Sequence, residues 1–206
     1  MEKCENLWDK KAKTYDKFDG NLSEFQIKFF EILNKFGVSF ENKTLVDIGC
    51  GTGIYTLYLA QICKSVLGID GSKEMLKEFE NSVKIKNITN AKCLFSEFSD
   101  FQSSEKFDIA FLTMSPALQT NDDFVKFMNL ANLRIYMNWE KPRNSTLLNP
   151  FFEKFGVKNR EKKINSTAKL CEFLKEKNIP FQSEILNKSR ISRRNLNEAL
   201  ENISWH

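Results

Sequence analysis

Three glycines at alternate positions, Gly49, Gly51 and Gly53, follow an apolar run carrying one carboxylate, Asp47, and precede an amphipathic stretch. A strand, a tight turn and a helix N-terminus in that order bring bare main chain to the mouth of a parallel sheet, where such sheets take up small molecules. The glycine spacing narrows the ligand. A dinucleotide site calls for Gly-x-Gly-x-x-Gly, but the sixth position counted from Gly49 is Ile54, and no Gly-Lys-Ser/Thr triplet follows to hold phosphates as a P-loop does. What remains is a cradle for a nucleoside with a small amino-acid tail. Asp70 closes the next apolar run, and a carboxylate at that station accepts from both hydroxyls of a ribose; NAD folds also use an acid there, so Asp70 alone discriminates little.

Strands alternating with helical patterns must present these residues, which predicts a βαβ series and a parallel sheet. Strands are expected at Thr44 to Ile48, Val66 to Asp70, Ala91 to Phe95, Phe107 to Leu112, Leu133 to Met137 and Phe181 to Leu186. Pro116, which has no amide proton for a ladder, stops the fourth. Helices are expected over Gly53 to Cys63, from a Ser72 cap with Met75, Leu76, Phe79 and Val83 as its buried stripe, from Asp122 to Ala131, and around 149–155, 167–177 and 193–203. Before the series, Leu22 to Phe36 repeats apolar residues at helical spacing and should pack on the flank of the sheet. The expected class is α/β, a doubly wound, mostly parallel, Rossmann-like sheet in three αβα layers with no seventh strand evident. The parts are a cap segment (1–21), a core (22–186) and a helical extension (187–206) within one domain of 206 residues.

In these ordered motifs the chain resembles the class I S-adenosylmethionine-dependent methyltransferases, whose first motif is an acidic residue followed by Gly-x-Gly-x-Gly. Asp70-Gly71-Ser72-Lys73-Glu74-Met75 is similar to that family's Asp-x-Ser-x-x-Met, and the segment from Leu7 to Asp16 is similar to the Trp-x-x-x-Ala-x-x-Tyr-Asp stretch preceding many of its cores. The resemblance covers residues 7 to 139 well and implies S-adenosylmethionine as methyl donor. It places Gly49 and Gly51 at the methionine portion, counts Cys50 and Thr113 among the donor-binding residues, and turns Asp47 toward the ammonium, directly or through water, with a purely structural role in the turn as the alternative. It places Asp70 on the ribose, Gly71 against adenine, Met75 among the donor-binding residues, and Glu97 and Phe98 on the adenine amino group and ring; Glu97 is one methylene longer than the family's Asp, and a surface Glu beside a core Phe is the plain alternative. The loop Thr113-Met114-Ser115-Pro116-Ala117 lacks the Asn/Asp-Pro-Pro-Tyr/Phe signature of amide and base methylation, which argues against DNA adenine as acceptor.

Displacement at a sulfonium carbon is accelerated by alignment in a dry pocket, so a strong base is optional. Trp8, Tyr15, Met114, Ser115, Pro116 and Trp139 are the expected acceptor walls. Where a base is needed, Tyr15, Asp16 and Glu140 are the available groups, and the sole histidine, His206, is given no role. The expected reaction is methyl transfer to N, O or S of a small molecule. Its rivals are RNA or protein methylation through the basic last third, and a silent binding module.

Composition bounds these readings. Hydrophobic residues make up 41% and charged residues 28%, with 19 Phe as core material, as in a soluble globular protein. The net charge of +4 arises after residue 140, where Lys and Arg outnumber Asp and Glu two to one, in clusters from Lys158 to Lys163 and from Lys188 to Arg194. Those clusters lack the interleaved aromatics that stack bases, so nucleic acid is a disfavoured partner. No apolar run reaches membrane-spanning length and the first residues are charged, which predicts a cytoplasmic protein. Five scattered cysteines with no zinc-ligand spacing predict free thiols and no metal, and the chain is expected as a monomer or homodimer.

Overall fold

The computed structural model describes residues 7–140, 144–155, 166–189, 191–193 and 195–204. Five strands, β1 (Thr44–Ile48), β2 (Ser65–Asp70), β3 (Ala91–Phe95), β4 (Phe107–Thr113) and β5 (Ala131–Met137), form a sheet in the order β3-β2-β1-β4-β5. Every pairing is parallel. All carboxyl ends therefore share one edge, and the strand order reverses between β1 and β4, the kind of switch point at which open α/β sheets hold ligands.

A parallel sheet is apolar on both faces because crossover helices cover each one. Along β1, Leu45 joins a cluster with Ile109, Phe111, Phe29, Leu33 and Phe79, whereas Val46 and Ile48 join a second with Ala110, Leu112, Phe124, Phe127 and Phe173. Helices α2 (Glu24–Lys35), α3 (Ile54–Leu59) and α4 (Lys73–Ile85) feed the first cluster, and α5 (Asn121–Leu130) and α7 (Ser166–Glu176) the second. Three layers result. A short α1 (Leu7–Ala12) crosses the N-terminus of α4, while α6 (Leu148–Lys154) and α8 (Leu196–Ser204) follow the sheet in sequence. No described helix is long and apolar enough to cross a membrane.

Helix starts follow local chemistry. Ser72 accepts from the Met75 amide (3.2 Å) at the head of α4. Ser23 and Gln26 form a reciprocal capping box on α2, and Thr120 with Asp123 does the same on α5. The cap of α5 is thus Thr120, two residues before the expected Asp122. Helix α3 ends at Leu59 rather than Cys63, because the Asn90 side chain donates to the carbonyls of Ala60 (2.8 Å) and Cys63 (3.0 Å) and stabilises a turn there.

The expected sixth strand is absent: residues 181–186 form no ladder. The apolar positions of that stretch, Phe181, Ile185 and Leu186, do not share one strand parity, and Ile185 is 65% exposed. The segment instead runs against α2, where Glu184 pairs with Lys35 (3.1 Å), Leu186 packs on the first cluster and the Lys188 ammonium lies 4.6 Å from the Phe25 ring. Among the described residues β5 is consequently an edge strand.

Candidate functional site

At the carboxyl ends of the strands lies a cavity of about 640 Å³, within the range of small-molecule sites. Four strand ends and the N-terminal segment build it. The turn after β1 contributes Gly49, Cys50, Gly51 and Thr52; the end of β2 gives Asp70 and Gly71; the loop after β3 gives Ser96, Glu97 and Phe98; and the loop after β4 gives Thr113, Met114, Ser115 and Pro116. Trp8, Tyr15, Asp16 and Gln26 close the remaining side.

Glycine at three of these positions answers to space. At Gly51, whose φ is +56°, a Cβ would meet nothing within 4 Å, so the main chain here faces open cavity. At Gly49 a Cβ would overlap the Ser115 side chain, and at Gly71 it would overlap the Glu97 carboxylate. Gly49 and Gly71 therefore let neighbouring loops meet, whereas Gly51 leaves a cradle. Met114 holds a left-handed φ of +55°, which costs a non-glycine residue about 1–3 kcal/mol. Its amide donates to Met137 (2.8 Å), and the Asn138 side chain donates to the Ser115 carbonyl (2.9 Å), so β5 fixes this strained loop over the site.

Asp70 ties the turn together. One carboxylate oxygen accepts from the Gly51 amide (2.8 Å) and the other from the Ser72 amide (2.8 Å). Burial raises its pKa, against those two amides, which lower it. Each oxygen keeps acceptor capacity beyond these bonds, and Asp70 lines the cavity. Tyr55 also lines the site; burial pushes its phenol up to about 12, against a hydrogen bond with Gln26, so it stays protonated at neutral pH.

The N-terminal segment is fastened at several points. An Asp9 carboxylate oxygen accepts from the Ser72 hydroxyl (2.6 Å) and the Glu74 amide (3.2 Å), capping α4 from outside. The Thr52 hydroxyl donates to the Asp16 carbonyl (2.6 Å), and Lys17 pairs with Glu78 (2.7 Å). These bonds hold Trp8 and Tyr15, an edge-to-face pair with centroids 6.4 Å apart, at the rim of the cavity.

Most of the expected site residues converge on this cavity: Trp8, Tyr15, Gly49, Cys50, Gly51, Asp70, Gly71, Met75, Glu97, Phe98, Thr113, Met114, Ser115 and Pro116 all line it. Three do not. Asp47 is 2% exposed and points the other way, because strand alternation puts it on the face of Leu45, beneath α3, where it accepts from the Thr56 hydroxyl. Its second oxygen has no partner, and burial pushes its pKa up to about 7. Trp139 and Glu140 follow β5 outside the lining; the Trp139 carbonyl accepts from Thr167 (3.1 Å) instead. Residues missed from the sequence include Gln26 and Tyr55. The Ser-x-x-Gln box marks Gln26 as a first-turn residue of α2, and Tyr55 follows the glycine turn directly, so both positions were locatable as helix entrances beside the site.

Residues 45–132, from β1 into β5, match the family described as "Methyltransferase domain". The chain is 32% identical over 80 residues to the 23S rRNA (uracil(1939)-C(5))-methyltransferase RlmD of Francisella tularensis subsp. novicida, a match covering 37% of this chain and 18% of that protein. It is 37% identical over 76 residues to a probable cobalt-precorrin-6B C(15)-methyltransferase (decarboxylating) of Methanosarcina mazei, covering 36% and 41%. The chain thus spans under a fifth of the length of the first of these relatives and under half of the second. A SAM-dependent methyltransferase structure from Aquifex aeolicus shares the fold, with a TM-score of 0.56 and 19% identity over 82% of this chain and 86% of that one.

Proposed function

We propose that the chain, whose residues 45–132 match a methyltransferase-domain family, is a class I S-adenosylmethionine-dependent methyltransferase that transfers a methyl group to an N, O or S atom of a small molecule. One observation carries the reading: the Gly51 cradle and the Asp70 carboxylate open into the same cavity. Asp70 would accept from the ribose hydroxyls with the lone pairs its two amide bonds leave over. Gly71, Met75, Glu97 and Phe98 would enclose the base, and Gly49 to Thr52 would receive the amino-acid tail. The orphaned Asp47 oxygen is buried outside the cavity lining, so Asp47 would support the turn from behind rather than contact the donor.

When bound, the donor supplies an electrophilic methyl carbon and a neutral thioether leaving group. The chain supplies alignment and exclusion of water, since the Met114 loop and the Trp8–Tyr15 rim wall the space in which a nucleophile would stand. No strong base is assigned. Tyr55 is held protonated, so its hydroxyl orients rather than abstracts.

Calorimetry with S-adenosylhomocysteine tests the donor site: saturable heat from the parent and none from Asp70→Ala is expected. Radiolabelled methyl transfer to fractionated metabolites then tests the acceptor, with bulk RNA as the contrasting arm. A salt-sensitive mobility shift on RNA together with methyl incorporation there would replace the small-molecule reading.

A further inference from the structure

The cavity has a charge opposite to that of the chain. The whole protein carries +4, yet no Lys, Arg or His is among the described residues lining the cavity, and four carboxylates are: Asp16, Asp70, Glu97 and Asp123. Three of the four are committed. Asp70 is held by two main-chain amides, Asp123 closes the α5 capping box, and Glu97 lies against Gly71 with no room for a Cβ between them. Asp16 differs. Its carbonyl oxygen accepts from Thr52, but its carboxylate takes no hydrogen bond or ion pair from any described residue, and the next residue, Lys17, is directed to Glu78.

The N-terminal and helix-entrance part of the lining that includes Asp16 is otherwise aromatic or uncharged. Trp8 and Tyr15, an edge-to-face pair, and Tyr55 and Gln26 line the same cavity as Asp16. Ring faces attract cations within about 6 Å, and a carboxylate attracts them by charge. An anionic acceptor would meet four carboxylates and no cationic side chain from the described lining, which disfavours carboxylates and phosphates.

Resting on the methyltransferase reading above, we propose that the acceptor is an organic amine, recognised as its ammonium by Asp16 and the Trp8, Tyr15 and Tyr55 rings, and methylated on nitrogen. The ammonium first releases one proton, through Asp16, to water. The freed nitrogen lone pair then forms the N–C bond while the C–S bond breaks with its pair passing to sulfur, leaving a protonated methylamine and a neutral thioether.

The test uses the full chain saturated with S-adenosylhomocysteine and measures binding of matched probes by titration calorimetry: benzylamine and tyramine against benzoate, 4-hydroxyphenylacetate and benzyl phosphate. The amines are expected to bind at least about ten-fold more tightly than the anions, as one charge-assisted contact supplies. Asp16→Asn, which keeps the main-chain bond to Thr52, should erase that preference while leaving S-adenosylhomocysteine affinity within about two-fold, and Asp16→Glu should restore most of it. Equal or tighter binding of the anions, no binding of the amines, or an unchanged preference in Asp16→Asn overturns the proposal while the donor reading stands. Failure of S-adenosylhomocysteine itself to bind overturns the donor reading and this inference with it.

Discussion

Asp47 and Asp70 are acidic residues at the ends of neighbouring strands, yet their surroundings give them different duties. Asp70 satisfies two amides and faces the cavity, so Asp70→Ala orphans the Gly51 and Ser72 N–H groups as well as removing the ribose contact. That variant should lose S-adenosylhomocysteine binding and about 1–3 kcal/mol of stability by urea denaturation, while Asp70→Asn, which retains one acceptor oxygen, should keep more of both. Asp47 is buried with one hydrogen-bond donor, and its folded pKa of about 7 stands above its ordinary 3.8. Between about pH 4 and 7 the folded chain therefore holds a proton that the unfolded chain has released. The stability Asp47 contributes is full below the unfolded value and is lost as pH rises through the folded one. Urea midpoints of the parent relative to Asp47→Asn should fall from pH 5 to pH 8; a constant difference would show that the carboxyl does not titrate in that window.

Strand and helix identities near the site were legible because short-range chemistry and sheet burial agree there. Thr44–Ile48 and Ala91–Phe95 match their expected spans, and Ser72 caps α4 as its hydroxyl predicts. Illegible parts depend on partners distant in sequence. Nothing near Gln61 foretells that Asn90 will cap the carbonyls of α3, and the 181–186 stretch has strand composition but lies on α2 through Lys35 and Phe25. At the site, the glycine motif located the cradle, but only the fold shows that Gly49 is small because of Ser115 and that alternation hides Asp47. The same holds for α1. Nothing in the sequence around Asp9 marks it as a cap, yet in the fold it accepts from Ser72 and Glu74 and straps the cap segment across α4. Asp9→Ala should cost about 1 kcal/mol, typical of a lost N-terminal cap, and should accelerate proteolytic cleavage within residues 7–21 while cleavage in the sheet is unchanged. Equal cleavage rates in the two proteins would mean that Phe18 and Ala12, both buried, suffice to hold the segment.

At the scale of the molecule, the cavity draws on both ends of the fold's connectivity: a turn from β1, loops from β2, β3 and β4, and a strap from the N-terminal segment. These parts touch one another through few bonds. Gly51 to Asp70, Thr52 to Asp16 and Asn138 to Ser115 are main links, so without ligand the loops are braced from behind but face an open volume. A ligand that bridges Asp70 and the Gly51 turn joins those parts only in the folded state, and its binding energy adds to stability by mass action. At a concentration about 100 times its dissociation constant the gain is about 2.7 kcal/mol, which for a chain of this length raises the melting temperature by about 5–10 °C. S-adenosylhomocysteine should produce that rise in the parent and a comparable one in Asp16→Asn, because Asp16 is assigned to the acceptor. It should produce none in Asp70→Ala. Adenosine alone, which engages Asp70 without occupying the Gly51 cradle, should give a smaller rise at equal concentration. A full rise with adenosine would show that the amino-acid tail makes no use of the bare turn, and the glycine spacing would then have to be explained by loop contacts such as Gly49 against Ser115 alone.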